Sequence, residues 1–171
     1  MGEIKSNTIK VFGEPTDIFH FKCISEELSS LDVSNSSALT SLDCTLNELT
    51  TLDLSNNSAL TEVTCPRNSL TTLDFSNNPA LTELRCGYND LTSLNVSSNY
   101  ALTLLVCDVN SLTSLDLSNN SALTELYCNN NKLTDLDVSN NLSLQTLGCS
   151  YNDLATLDVS NNTALVGFGC D

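Results

Sequence analysis

Between residues 81 and 101 the chain reads Leu81-Thr82-Glu83-Leu84-Arg85-Cys86-Gly87-Tyr88-Asn89-Asp90-Leu91-Thr92-Ser93-Leu94-Asn95-Val96-Ser97-Ser98-Asn99-Tyr100-Ala101. Leu84 and Cys86 alternate with polar neighbours, and Leu94 and Val96 do so again. A period of two predicts extended arms with one face inward. The same order of apolar and polar positions returns every 21 residues, marked by Cys23, Cys44, Cys65, Cys86, Cys107, Cys128, Cys149 and Cys170. A fixed period of about 20 to 50 residues is the mark of a solenoid. One coil cannot bury its own leucines. Stacked coils can, each arm pairing in parallel with the next at about 4.8 Å.

The first half of each repeat reads Leu-x-x-Leu-x-Cys-x-x-Asn-x-Leu, the leucine-rich-repeat pattern with Cys in a Leu slot. The second half, as in Leu112-Thr113-Ser114-Leu115-Asp116-Leu117-Ser118-Asn119-Asn120, is a shorter echo of it. The expected fold is therefore a mainly β, right-handed leucine-rich-repeat solenoid. Each 21-residue coil carries one parallel concave strand and an extended or 3-10 convex side. Residues 1–17 break the repeat and are expected to form a degenerate N-terminal capping half-coil, with Phe12, Ile18 and Phe21 in apolar columns. Residues 18–171 are expected to hold seven to eight repeats, ending without a C-terminal cap. The Asn column (Asn47, Asn68, Asn89, Asn110, Asn131, Asn152) is expected where the chain turns inward, because Asn tolerates unusual backbone angles and its amide can serve turn groups. The Ser-Asn-Asn segments are expected to do the same at the other turn.

A 21-residue repeat with Cys replacing Leu in every coil resembles the internalin J type of bacterial leucine-rich repeat, over residues 18–171. The resemblance implies a surface-exposed adhesion or protein-binding role, with the concave strands as the contact face. It also implies a secreted or cell-surface bacterial location as part of a longer protein. The start of this chain does not read as a secretory signal, and it shows no Leu-Pro-x-Thr-Gly anchor.

Composition narrows the partners. The 171 residues carry 21 acidic and 6 basic side chains, a formal charge of −15. Such a chain repels phosphate backbones and anionic membrane surfaces, so neither nucleic acid nor membrane insertion is expected. Zinc requires thiolates that converge, and one thiol per coil forms a line instead. Thiols at strand spacing also sit too far apart for disulfides. The cysteines read as a buried structural ladder, with Cys170 the exposed one. The acidic column (Asp32, Asp53, Asp74, Asp116, Asp137, Asp158) reads as turn acceptors for nearby Ser and Thr. A calcium-dependent module is the alternative, although the Gly and downstream Glu of a calcium loop are missing. His20 is the only histidine. No nucleophile elbow, phosphate loop or converging carboxylate pair appears, so neither enzymatic activity nor a metal or cofactor is expected.

Most columns hardly vary, and function is sought where they do. The residues three and one before each Cys, and one and two after it, differ from coil to coil. Alternation assigns most of them to the outer face of the strand, a strip of roughly 35 by 13 Å. Within it, Leu104, Val106, Val109, Tyr88 and Tyr127 supply apolar and aromatic surface, with Arg67, Arg85 and Tyr151 beside them. Aromatic and Arg side chains are frequent anchors of interfaces. These eight residues are the expected partner-binding set for a protein or glycan. A structural spacer within a longer cell-surface protein is a further alternative. The open last coil suggests a dimer formed through that end.

Overall fold

The computed structural model describes residues 7–11 and 18–170. Ten three-residue strands occur among them: β1 (Thr8–Lys10), β2 (His20–Lys22), β3 (Ser30–Asp32), β4 (Ser41–Asp43), β5 (Glu62–Thr64), β6 (Glu83–Arg85), β7 (Leu104–Val106), β8 (Glu125–Tyr127), β9 (Thr146–Gly148) and β10 (Gly167–Gly169). Eight of them form one parallel sheet in the order β10-β9-β8-β7-β6-β5-β4-β2. The register repeats, with Leu42 opposite Val63, Leu84 opposite Leu105 and Leu126 opposite Leu147. The chain is thus a leucine-rich-repeat solenoid with its cysteines in register.

The second arm is extended but makes almost no ladder. Among the described residues only β1 and β3 pair there, besides an isolated bridge between Asp74 and Asn95. Ser, Asn and Asp side chains on this arm take over backbone groups that a sheet would otherwise use. Phe12 and the rest of residues 12–17, like residues 1–6 and Asp171, lie outside the described residues. Of the expected capping columns, Ile18 and Phe21 pack partly buried against the core. Lys10 and Lys22 reach Asp32 and Asp43 at 2.9 and 3.1 Å.

The core is a set of columns. Leu39, Leu60, Leu81, Leu102, Leu123 and Leu144 form one, and the strand leucines and the cysteines beside them form two more, all essentially without exposure in the middle coils. Burying a Leu side chain contributes roughly 2 kcal/mol, and the regular spacing places several in every coil.

Side-chain amides and hydroxyls fasten coil to coil. Asn89 Nδ2 donates to the carbonyls of Cys65 and Cys86, both at 3.1 Å, and Asn89 Oδ1 accepts from Leu70 N–H at 3.0 Å. At the opposite turn, Asn78 Nδ2 donates to the Leu54 and Asn57 carbonyls, while its Oδ1 has no partner. Asn57, Asn99, Asn120, Asn141 and Asn162 repeat that orphaned acceptor. A threonine column precedes β4 to β8: Thr82 Oγ1 donates to Thr61 O at 2.9 Å, and Thr103 and Thr124 copy it.

One expectation about the turns is corrected. The Asn column does not hold the unusual backbone angle. The residue before it does: Leu46, Arg67, Tyr88, Val109, Asn130 and Tyr151 all have φ between 53 and 57°. This is the left-handed region, uncommon for any residue but Gly and an outlier for β-branched Val. The Asn side chain that follows, bound to two coils, holds the chain there.

Candidate functional site

The strands divide the eight candidate residues into two groups. Leu104 and Val106 are the outward residues of β7, and Tyr127 and Arg85 are outward on the strands to either side. Register places Val106 between Arg85 and Tyr127 in one column, and Leu104 between Glu83 and Glu125 in the other. All four candidates are half-buried by their neighbours. Arg85 Nη1 lies 2.7 Å from Glu83 Oε2 and 3.8 Å from Glu62 Oε1. Tyr127 Oη donates to Glu125 Oε2 at 3.2 Å. Partial burial, with the Glu125 carboxylate beside it, raises the Tyr127 phenol above its ordinary value. A Cβ added at Gly148 would meet Asn129 Nδ2 at 2.8 Å and Tyr127 Cδ1 at 3.3 Å, so both side chains lie close over this glycine. The result is a low apolar mound framed by charge.

Arg67, Tyr88, Val109 and Tyr151 lie elsewhere. They occupy the left-handed position past the strand end, on the rim formed by the turns. The strip drawn from alternation therefore splits, because the chain reverses its backbone hand two residues after each Cys from Cys23 to Cys149. The strand face that remains is three residues wide, about 10 Å. On the rim, Arg67 Cζ sits 4.3 Å from the centre of the Tyr88 ring. Tyr88 and Tyr151 are well exposed, at 47% and 70%. The residues one after each Cys also run along the rim. Asp108 Oδ1 accepts from both N–H and Nδ2 of Asn129, each at 2.8 Å, and Asn129 Oδ1 accepts from Ser150 N–H at 2.9 Å. Asp108, Asn129 and Asn130 join the candidate residues on this rim. Their only sequence signal was variation from coil to coil.

The cysteines fill a core layer. Cys23 through Cys149 are buried and unbridged, and Cys170 is exposed. Burial pushes the thiols of Cys23 and Cys149 up to about 11 and that of Cys65 up to about 12. Such thiols stay protonated and inert at neutral pH. In the acidic column each carboxylate closes a turn with the serine two residues on, as Asp74 Oδ1 does with Ser76 N–H at 2.9 Å and Asp137 Oδ1 with Ser139 N–H at 2.9 Å. Those bonds hold the carboxyls of Asp53, Asp74, Asp116, Asp137 and Asp158 below their ordinary value. Asn95 makes the same bond to Ser97 N–H, so the column's role in the turn does not need charge. Among the described residues no group of His, Cys, Asp and Glu is arranged to hold a metal ion.

Comparison with known proteins agrees with this architecture. The functional domain of InlJ from Listeria monocytogenes, which includes a cysteine ladder, is similar over 93% of this chain and 41% of its own length, with 39% identity and a TM-score of 0.69. A Leptospira interrogans LRR protein aligns over 89% of this chain and 48% of its own, at 21% identity and a TM-score of 0.74. An internalin (inlF) from Listeria monocytogenes aligns over 82% and 53%, at 20% identity and a TM-score of 0.66. The latter two likenesses show the fold alone. The chain spans about half or less of the length of these relatives. The LVIVD repeat family matches residues 45–65 and 90–128, well under half of the chain. No curated protein matches it. No helix among the described residues is long and apolar enough to cross a membrane.

Proposed function

We propose that this leucine-rich-repeat solenoid with a cysteine ladder is a non-enzymatic binding module of a bacterial surface or secreted protein, and that it recognises a protein partner through its strand face. Repeat solenoids of this kind serve as interaction modules, and the likeness to the InlJ functional domain supports that role here. One observation carries the finer reading. At the two outward positions of β7, where the flanking strands carry Glu83, Arg85 and Glu125, the chain places Leu104 and Val106. The fold does not require apolar residues there. Tyr127 extends the mound, and Arg85, held by Glu83 and Glu62, borders it. An apolar centre with a charged rim is the usual composition of a protein interface. The area is small, so the contact is modest and transient.

The test compares the folded chain with Val106→Asp and with Tyr127→Ala for binding to surface-exposed proteins of other cells. The reading expects both variants to lose the partners that the parent retains. Full retention by variants with unchanged melting would sink it. Retention of protein partners with loss of a glycan would move the strand face to the glycan alternative.

A further inference from the structure

The rim holds an open groove of about 330 Å³ between the rings of Tyr88 and Tyr151. Its floor is made by the two smaller residues of the left-handed column, Val109 and Asn130, and its inner side by Asp108 and Asn129. Three strand spacings separate the two tyrosines, about 14 Å. The far face of Tyr88 is stacked on Arg67, which braces that wall.

The groups left for a ligand select its class. Backbone serves it poorly, because the N–H groups of Tyr88, Val109 and Asn130 are spent coil to coil. Tyr88 N–H donates to Asp108 O at 2.8 Å, Val109 N–H to Asn129 O at 2.9 Å and Asn130 N–H to Ser150 O at 2.9 Å. The rim carbonyls of Val109, Asn130 and Tyr151 are taken by Asn89, Asn110 and Asn131 N–H. An extended peptide would find no strand edge to pair with. Besides Ser150, the lining offers two ring faces, the Asn130 amide, and a carboxylate at Asp108 that accepts both Asn129 bonds at Oδ1. Flat apolar faces with a few side-chain acceptors and donors suit a ring that is apolar on one side and carries hydroxyls at its edge. No residue lining the groove is basic, and the chain carries −15 overall, so an acidic ligand is disfavoured.

The geometry points to a subsite for a neutral, disaccharide-sized carbohydrate between Tyr88 and Tyr151. The Tyr rings stack on the sugar faces, and Asp108 and Asn130 take its hydroxyls. This site lies off the strand face, and its success or failure does not depend on the protein contact proposed there.

The test follows the ring resonances of the four tyrosines, assigned through single Tyr→Phe variants, during titration of the whole protein. The probes are lactose, cellobiose, maltose and diacetylchitobiose, with sialyllactose as the acidic counterpart. One neutral disaccharide at least should shift Tyr88 and Tyr151 together with a Kd near or below about 1 mM, leaving Tyr100 and Tyr127 unmoved. Tyr151→Ala should weaken it by about tenfold or more. Asn130→Tyr should fill the floor and abolish binding, with its folding checked by circular dichroism. The proposal is overturned if no neutral probe gives a saturable shift by about 20 mM. It is equally overturned if a folded Asn130→Tyr still binds, or if sialyllactose binds as tightly as lactose. A proline-rich peptide that shifts both rings where the sugars do not would also reject it.

Discussion

Two buried asparagines that look equivalent in sequence should differ sharply when replaced by Ala. Asn89 and Asn78 sit in the middle of the array, at opposite turns; Asn89 Nδ2 donates to the carbonyls of Cys65, Cys86 and, at 3.3 Å, Gly87, and Asn78 Nδ2 to two. Each of those carbonyls keeps another donor when the side chain is removed. Cys65 O retains Asn68 Nδ2, Cys86 O retains Asn110 Nδ2 and Gly87 O retains Arg67 N–H. Leu54 O retains Asn57 N–H and Asn57 O retains Leu60 N–H. The difference lies in Oδ1. In Asn89 it accepts from Leu70 N–H, which Asn89→Ala leaves buried and unpaired. Stranding such a donor costs about 1–3 kcal/mol, and the lost Nδ2 bonds add about 1 kcal/mol, for a total near 3 kcal/mol. In Asn78 the Oδ1 is already orphaned. Asn78→Ala loses similar Nδ2 bonds but also removes that unsatisfied acceptor, so the net loss should be about 1 kcal/mol or less. Both substitutions remove the same atoms from a buried turn, so the packing losses are of similar size. Urea unfolding of the two variants beside the parent measures the gap, and partial unfolding of the array would affect both alike. Equal losses, or a larger loss for Asn78→Ala, would refute the account of these ladders.

Four further outcomes are expected. Val109→Asn should raise stability by about 1 kcal/mol, since a β-branched residue is held at φ 53° where Asn is tolerated, and thermal melting reads the shift. At pH 8 a thiol reagent should modify Cys170 and spare the seven buried cysteines until denaturant is added, as counted by intact-mass spectrometry. The folded thiols titrate above their unfolded value, so they add stability below pH 9 that is lost as pH rises through the folded values of about 11 to 12; melting temperature should fall over that range, less so in Cys65→Ala. The acidic column titrates below its unfolded value, so its contribution is present above about pH 4 and lost on further acidification, and Asp137→Asn, which keeps the turn bond as Asn95 does, should blunt that loss.

The period and the inward columns were legible because a repeated core demands the same apolar residue at the same place in each coil. Leu84, Leu105 and Leu126 could be assigned inward from alternation alone. The reversal of backbone hand was not legible. Its column holds Leu46, Arg67, Tyr88, Val109, Asn130 and Tyr151, with no glycine to announce it. The geometry is imposed by the next residue, whose side chain clamps two coils, and by the coil-to-coil N–H bonds. For that reason Tyr88 and Tyr151 could be singled out as variable and aromatic, yet were assigned to the strand face when they stand on the turn rim. Leu104, Val106 and Tyr127 fell within regular alternation, and their placement followed from it.

The binding role of the strand face is tested most directly by where a partner touches. A photo-crosslinking residue placed at Val106 or Tyr127 is compared with the same residue at Ser114 and Ser139 on the second arm, each exposed in turn to surface proteins of other cells. The account predicts one shared partner crosslinked from Val106 and Tyr127 and absent from Ser114 and Ser139. Crosslinks to that partner from the second arm, with none from the strand face, would contradict it.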